Sequence, residues 1–267
     1  MKTNSMNRKY SSILVLTVVL AVLFPLEGCA KELMTEEEPA GITMTTREPN
    51  VYFQIGIAGA DNYRDLTIAW GDGEESKFTD AASSNSESGA FFFSHSYSGS
   101  SEHRIITITG ENIERLDCRG SQLIALDVSR NRALKVLWCQ HNPLTSLDVS
   151  KNIALEELEV GGGGNQITSI DVSKNTALRR LHIAGTQIKN LDVSKNHALT
   201  YLMCRYNQLT STALNELFKT LTDKSVPFGP SPGRYIQITG NPGANDCDRS
   251  IAEKKEWTFR EDLWKVW

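Results

Sequence analysis

One nine-residue segment constrains this chain more than any other feature. Residues 126–134, LDVSRNRAL, return almost unchanged as 147–155, 170–178 and 191–199, at steps of 21, 23 and 21 residues. A second apolar pair is interleaved at the same period: Leu116 with Cys118, Leu137 with Cys139, Leu158 with Val160, Leu181 with Ile183, and Leu202 with Cys204. A single copy is too short to bury its own leucines, so copies must stack and share one interior. The spacing therefore predicts a stack of coils with a layered apolar core.

Within one coil, Leu134, Leu137, Cys139, Asn142 and Leu144 are followed by Leu147, Val149, Asn152 and Leu155. This order resembles the short nested class of leucine-rich repeats, with ten- and eleven-residue halves, over about residues 113–210. The resemblance implies a solenoid. A recurring Asn can hydrogen-bond the backbone of the bend it occupies. Asn131, Asn152, Asn175 and Asn196 are expected to form one such ladder; Asn142, Asn165 and Asn207 form a second, in which Ser121 and Thr186 stand in elsewhere. The 23-residue step traces to residues 161–164, four glycines that are expected to bulge from the stack. No Lys-Ser/Thr pair follows them, which argues against a phosphate-cradling loop.

The chain opens with Lys2, Arg8 and Lys9, followed by an apolar run over residues 13–24, the length of a signal-peptide core and short for a bilayer span. Leu26-Glu27-Gly28-Cys29 then resembles the lipobox of bacterial lipoproteins, with Glu27 where a small or apolar residue is usual. The resemblance implies removal of residues 1–28 and lipidation of Cys29, with the chain exported and held at the outer membrane by that lipid. Ala30-Lys31-Glu32 and the run Glu36, Glu37 and Glu38 resemble the tag that sends some Gram-negative lipoproteins to the cell surface, and read equally as a solvated acidic tether. Residues 29–50 are read as that linker.

Val51, Phe53, Ile55 and Ile57 alternate with mostly polar neighbours, as do Leu66, Ile68 and Trp70, and residues 91–97 and 104–109 add further strand candidates. Gly71-Asp72-Gly73 supplies a tight turn. Trp70-Gly71-Asp72-Gly73, His95-Ser96-Tyr97 and residues 106–109 together resemble a polycystic-kidney-disease-like β-sandwich, assigned to residues 51–110. Asp72 lacks a second carboxylate at loop spacing and is read as a turn residue, not a calcium ligand.

After Leu209 the stack needs an end cover. Leu214, Leu217, Phe218 and Leu221 recur at helical spacing, Pro227, Pro230 and Pro232 interrupt the chain, and residues 235–239 read as a last strand. A final helix is expected from Asp248 or Ser250 through Trp257, and Phe259, Leu263, Trp264 and Trp267 are expected to pack beneath the cap. The predicted fold is thus mainly β with a few helices: a leucine-rich-repeat solenoid at 111–210, preceded by a small β-sandwich and closed by an α/β cap at 211–267.

A formal net charge of −4 excludes the broad positive surface that nucleic acid requires. The five histidines, His95, His103, His141, His182 and His197, form no paired metal motif, and no nucleophile elbow or Walker loop is present. No cofactor, metal site or enzymatic activity is expected, although Glu159 and His182 share a strand surface where an acid and a base could act together. Cys118, Cys139 and Cys204 occupy the position of Val160 and Ile183 and read as small buried hydrophobes. A disulfide among Cys118, Cys139, Cys204 and Cys247 stays open at this stage.

The two outward faces of the repeat differ. Asp127, Asp148, Asp171 and Asp192 are identical, as are Ser129, Ser150, Ser173 and Ser194, which suits a scaffold. The other face carries Asp117, Trp138, Glu159, His182 and Met203 in one row and Arg115, Val136, Glu157, Arg180 and Tyr201 in the next. Aromatic and arginine side chains are the usual anchors of interfaces. Trp138, Glu157, Glu159, Arg180, His182, Tyr201, Met203 and Arg205 are therefore the candidate ligand-binding residues, unless that face varies only because nothing constrains it. The resemblance to leucine-rich-repeat lipoproteins implies a surface adhesion module for an extracellular or host protein, and a monomer is expected. The alternative is an accessory glycan binder, since an exposed Trp also stacks on sugars.

Overall fold

The computed structural model describes residues 41–57, 66–78, 90–98, 103–223 and 233–260. The signal segment, Cys29, the acidic run, the three prolines, Leu263, Trp264 and Trp267 lie outside the described residues. Among the described residues no helix is long and apolar enough to cross a membrane.

Six strands make the sandwich: β1 (Gly41–Thr46), β2 (Asn50–Ile57), β3 (Leu66–Ala69), β4 (Glu75–Phe78), β5 (Ala90–Ser96) and β6 (Arg104–Thr109). Their inward residues are the alternating apolar ones, with Ile55, Ile68, Ile106 and Ile108 fully buried. Strand β1 falls inside the segment read from sequence as linker, so the fold reaches ten residues further toward the N-terminus than Val51. Its alternation is short and hidden among threonines: Ile42 and Met44 are buried, and Thr46 is buried as well, its hydroxyl lying within hydrogen-bond distance of the Ser121 and Gln122 carbonyls. The turn motif gathers into one cluster. Asp72 Oδ2 lies 2.7 Å from His95 Nε2, the His95 ring stacks on Trp70 at 4.7 Å, and Tyr97 donates its hydroxyl to the Trp70 carbonyl at 2.7 Å. The His95 bond, with a backbone bond from Glu74, holds the Asp72 carboxyl below its ordinary range, while burial pushes the Tyr97 phenol up to about 12.

Both sandwich sheets run on into the solenoid. The first coil supplies β7 (Ile113–Asp117) and β8 (Leu123–Asp127); β7 pairs antiparallel with β2, and β8 pairs antiparallel with β1. One sheet therefore reads β4-β3-β6-β1-β8. The other takes in β9 (Val136–Trp138), β10 (Glu157–Glu159), β11 (Arg180–His182), β12 (Tyr201–Met203), β13 (Arg234–Gln237) and β14 (Trp257–Phe259), in the order β14-β13-β12-β11-β10-β9-β7-β2-β5. From β7 to β14 the pairing is parallel and in step, which stacks Leu116, Leu137, Leu158, Leu181, Leu202 and Ile236 in one buried column. Cys118, Cys139 and Cys204 stand in the next column, each fully buried. All three are free thiols, as is half-buried Cys247, and burial pushes Cys139 and Cys204 up to about 12. The three buried ones are small hydrophobes, inert as nucleophiles at neutral pH.

The ladders form as the spacing predicts. Asn152, Asn175 and Asn196 each donate Nδ2 to two carbonyls of the preceding coil, for Asn175 those of Val149 at 3.0 Å and Asn152 at 2.8 Å. In the second ladder Asn142 Nδ2 donates to Cys118 and Cys139, while its Oδ1 accepts from Leu123 at 2.9 Å. Ser121, the first substitute, turns away from the coils and donates to Tyr52 of β2 at 2.7 Å, tying sandwich to solenoid. At Asn207 the ladder does not stop. Asn241 bonds Cys204, Ile238 and Leu209 in the same way, so Ile236, Ile238 and Asn241 are a further coil.

Ahead of that further coil, the coil of β12 replaces its Asp-Ser half with helix α1 (Ser211–Thr220). Thr210 caps it by accepting from the Ala213 amide at 3.2 Å, and Leu214, Leu217 and Phe218 seal the stack. The expected terminal helix shrinks to α2 (Ser250–Glu253), and Trp257 sits in β14, fully buried and donating to the Thr222 carbonyl at 3.1 Å. Completing the parallel ladder outweighs helix propensity there. Phe259 packs edge-on against Phe218 at 5.5 Å.

Candidate functional site

The two outward faces owe their difference to where the side chains spend their hydrogen bonds. Asp127, Asp148, Asp171 and Asp192 each accept from the backbone amide two residues on, at 2.8 Å in every coil. That bond shapes the bend, and it holds the Asp148 and Asp171 carboxyls below their ordinary range. This face is identical because each copy uses it internally.

The opposite face is the outer surface of the nine-stranded sheet. Its register aligns Asp117, Trp138, Glu159, His182, Met203 and Gln237 in one row, and Arg115, Val136, Glu157, Arg180, Tyr201 and Tyr235 in the next. A third row, two residues past the first, holds Arg119, Gln140, Gly161, Ala184 and Arg205. Large side chains stand at the two ends of this row and small ones in the middle. The gap is a cavity of about 300 Å³ lined by Arg119, Trp138, Glu159, His182, Tyr201, Met203 and Arg205.

Six of the eight candidate residues thus converge on one cavity. Glu157 and Arg180 stand beside it in the second row, 3.9 Å apart, with the Arg180 guanidinium 5.2 Å from the Tyr201 ring centre. Met203 is covered to 4% exposure between His182 and Gln237, so it is floor and not a free contact. Trp138 is half-buried, with the Arg115 and Arg119 guanidiniums 4.5 and 4.9 Å from its ring centre and its Nε1 buried without a hydrogen-bond partner. Arg119 is itself gripped by both carboxylate oxygens of Asp117, at 2.8 and 2.7 Å, which raises its pKa further. Glu159 accepts from Gln140 and lies 3.7 Å from His182 Nδ1, so the acid and base that share this face are neighbours.

Arg119 was not among the sequence candidates, although it lies two residues past Asp117 as Arg205 lies two past Met203. It also lines a second cavity of about 300 Å³, on the sandwich part of the sheet, with Tyr52, Phe53, Gln54, Phe92, Phe93, Ser94 and Asp117. Nothing in the repeat pattern reaches those residues. Gln237, 2% exposed with neither amide atom bonded, closes the row at its far end.

No protein-family model matches the chain, and no curated protein matches its sequence significantly. Among solved structures it is similar to the functional domain of InlJ from Listeria monocytogenes, which includes a cysteine ladder. The two are 28% identical over 54% of this chain and 38% of that one, with a TM-score of 0.31. An internalin (inlF) of the same organism is 18% identical over 55% and 47%, with a TM-score of 0.39. A leucine-rich-repeat protein of Leptospira interrogans is 19% identical over 56% and 49%, with a TM-score of 0.36. This chain spans less than half the length of each. What it is rests on its own coils: a leucine-rich-repeat solenoid, mainly β, with two helices among the described residues.

Proposed function

We propose that this chain is a non-catalytic recognition protein, exported and lipid-anchored through Cys29 at the surface of a bacterial outer membrane, that grips a protein partner with the open face of its parallel sheet. The observation that carries this reading is the convergence of Arg119, Trp138, Glu159, His182, Tyr201 and Arg205 on one cavity, while the opposite face is consumed by its own backbone bonds. Half-buried aromatics flanked by arginines are the composition of interface hot spots. The sandwich is read as polycystic-kidney-disease-like, supported by the cluster of Trp70, Asp72, His95 and Tyr97. Its place between a lipid anchor and the solenoid suits a spacer.

The test is direct. Trp138→Ala is expected to weaken partner binding by at least ~2 kcal/mol, and Ser150→Ala on the repeated face to leave it unchanged. Equal losses, or none, count against the face. Phe92 and Tyr52 are exposed at 75% and 60%, and rings so presented also stack on sugars, which favours a glycan as the second reading. Soluble sugars competing in a pull-down separate the two. Lipidation is checked by fatty-acid labelling, which Cys29→Ser is expected to abolish along with membrane retention; no label on the unaltered protein sinks the anchor.

A further inference from the structure

The recognition face does not end where the repeats begin. Because β7 pairs with β2 and β2 with β5, the row that carries Trp138 and Met203 continues without a break through Asp117 and Gln54 to Phe92. A cavity lies toward either end, and Arg119 is a wall of both. The two differ in chemistry. Four of the eight walls around Phe92 are aromatic, with Tyr52 and Phe92 exposed and Phe53 and Phe93 buried beneath. In the solenoid cavity Arg205 has no carboxylate partner among the described residues, and its Nε is buried without an acceptor. Arg119, by contrast, is neutralised by Asp117 and Glu159 lies close to His182. Among the charged groups that line the solenoid cavity, the one without an ion-pair partner is therefore a cation, and the other end presents the exposed rings of Phe92 and Tyr52.

We propose that the partner is an extended protein segment that crosses the strands along this row, seating an apolar side chain against Phe92 and a carboxylate at Arg205. The proposal rests on the open face being the recognition surface, and adds to it the sandwich and the ligand's chemistry. Phe92 on β5 and Arg205 just past β12 are six strand spacings apart, about 29 Å at ~4.8 Å per spacing. An extended chain rising ~3.3 Å per residue covers that in about nine residues. An apolar side chain covers the exposed rings of Phe92 and Tyr52, and the buried Arg205 Nε calls for an anion, which favours a peptide bearing a carboxylate over a neutral saccharide. The buried Nε of Arg205, in the cavity that Tyr201 and Trp138 also line, gives the carboxylate a charge-assisted bond of more than surface strength.

The experiment uses the whole chain and synthetic peptides of Ser, Thr and Gln carrying one Phe and one Asp at separations of roughly three, six, nine and twelve residues, read by fluorescence anisotropy. Binding is expected to peak near the separation of about nine, at least roughly fivefold tighter than at three. Asp→Asn in the peptide, or Arg205→Gln in the protein, is expected to lose about fivefold or more, and Phe92→Ser to abolish the dependence on separation. Phe92 is exposed and the Arg205 side chain makes no ion pair among the described residues, so both variants should keep the melting temperature. A flat dependence, indifference to Phe92→Ser, or no binding by any peptide up to about millimolar overturns the proposal. Loss of partner binding in Trp138→Ala with Phe92→Ser silent leaves the recognition face standing and removes only the sandwich from it. Binding to an oligosaccharide array that Arg205→Gln and Phe92→Ser abolish, with no peptide bound, overturns the peptide in favour of a glycan.

Discussion

At the residue before every second-ladder position but Asn165 the backbone passes through the left-handed region. Gly120 at φ 65°, His141 at 57°, Gly185 at 71°, Tyr206 at 54° and Gly240 at 77° all do so, and Gly162 at 99° does so ahead of the two-residue insertion. An L side chain there costs about 1–2 kcal/mol. Gly120 isolates that cost, because a Cβ built on it meets nothing within 4 Å, whereas one on Gly162 would lie 2.6 Å from the His141 ring. Gly120→Ala is expected to destabilise by about 1–2 kcal/mol in chemical denaturation, and Gly162→Ala by more. Equal values for the two would mean that backbone conformation, not the packing of the glycine run on His141, sets the requirement. The run was read from sequence as a bulge. Only Gly163 is exposed, and its neighbours are pinned to the next coil by bonds such as Gly162 to the Ala184 carbonyl at 2.8 Å.

Among the elements, the coils were legible because four near-copies state the same pattern, and the period alone places Leu137 inside. Leu137 is fully buried in the shared column, so Leu137→Ala is expected to cost roughly 2–5 kcal/mol, while exposed Lys151→Ala stays within about 0.5 kcal/mol. Thermal melts of the two variants check this; similar shifts would contradict a stacked interior. Elements stated only once were harder to read. Strand β1 carries its signal in two residues, Ile42 and Met44, and β14 in Trp257 and Phe259, too short for a period to show. The final coil could have been found, since Ile236, Ile238 and Asn241 keep the spacing of Leu202, Cys204 and Asn207. Helix α1, standing before it in place of an Asp-Ser half, broke the copy and concealed it. Of the site, the solenoid rows were readable by alignment of the repeats. The burial of Met203 and the aromatic cavity of the sandwich depend on which strands pair, which no local pattern encodes.

For the whole molecule, the sandwich does the work of a terminal cap. Strands β7 and β8 would each present a free edge and an open apolar layer if β2 and β1 were absent. A chain beginning at Ile113 is therefore expected to lose cooperative melting and to aggregate, by scanning calorimetry and light scattering. Melting at the temperature of the whole chain would show that the sandwich is an appendage.

The Asn ladders also set how such a chain can change. Each ladder asparagine bonds the coil before it in the same way as its neighbour does, so an inserted copy of one coil would find every hydrogen bond already specified at both of its joins. A duplicated coil is thereby expected to leave the fold intact. Its effect falls on reach: each added coil moves Arg205 one strand spacing, about 4.8 Å, further from Phe92. On the proposed reading, repeat number is a ruler for the length of segment this face can take.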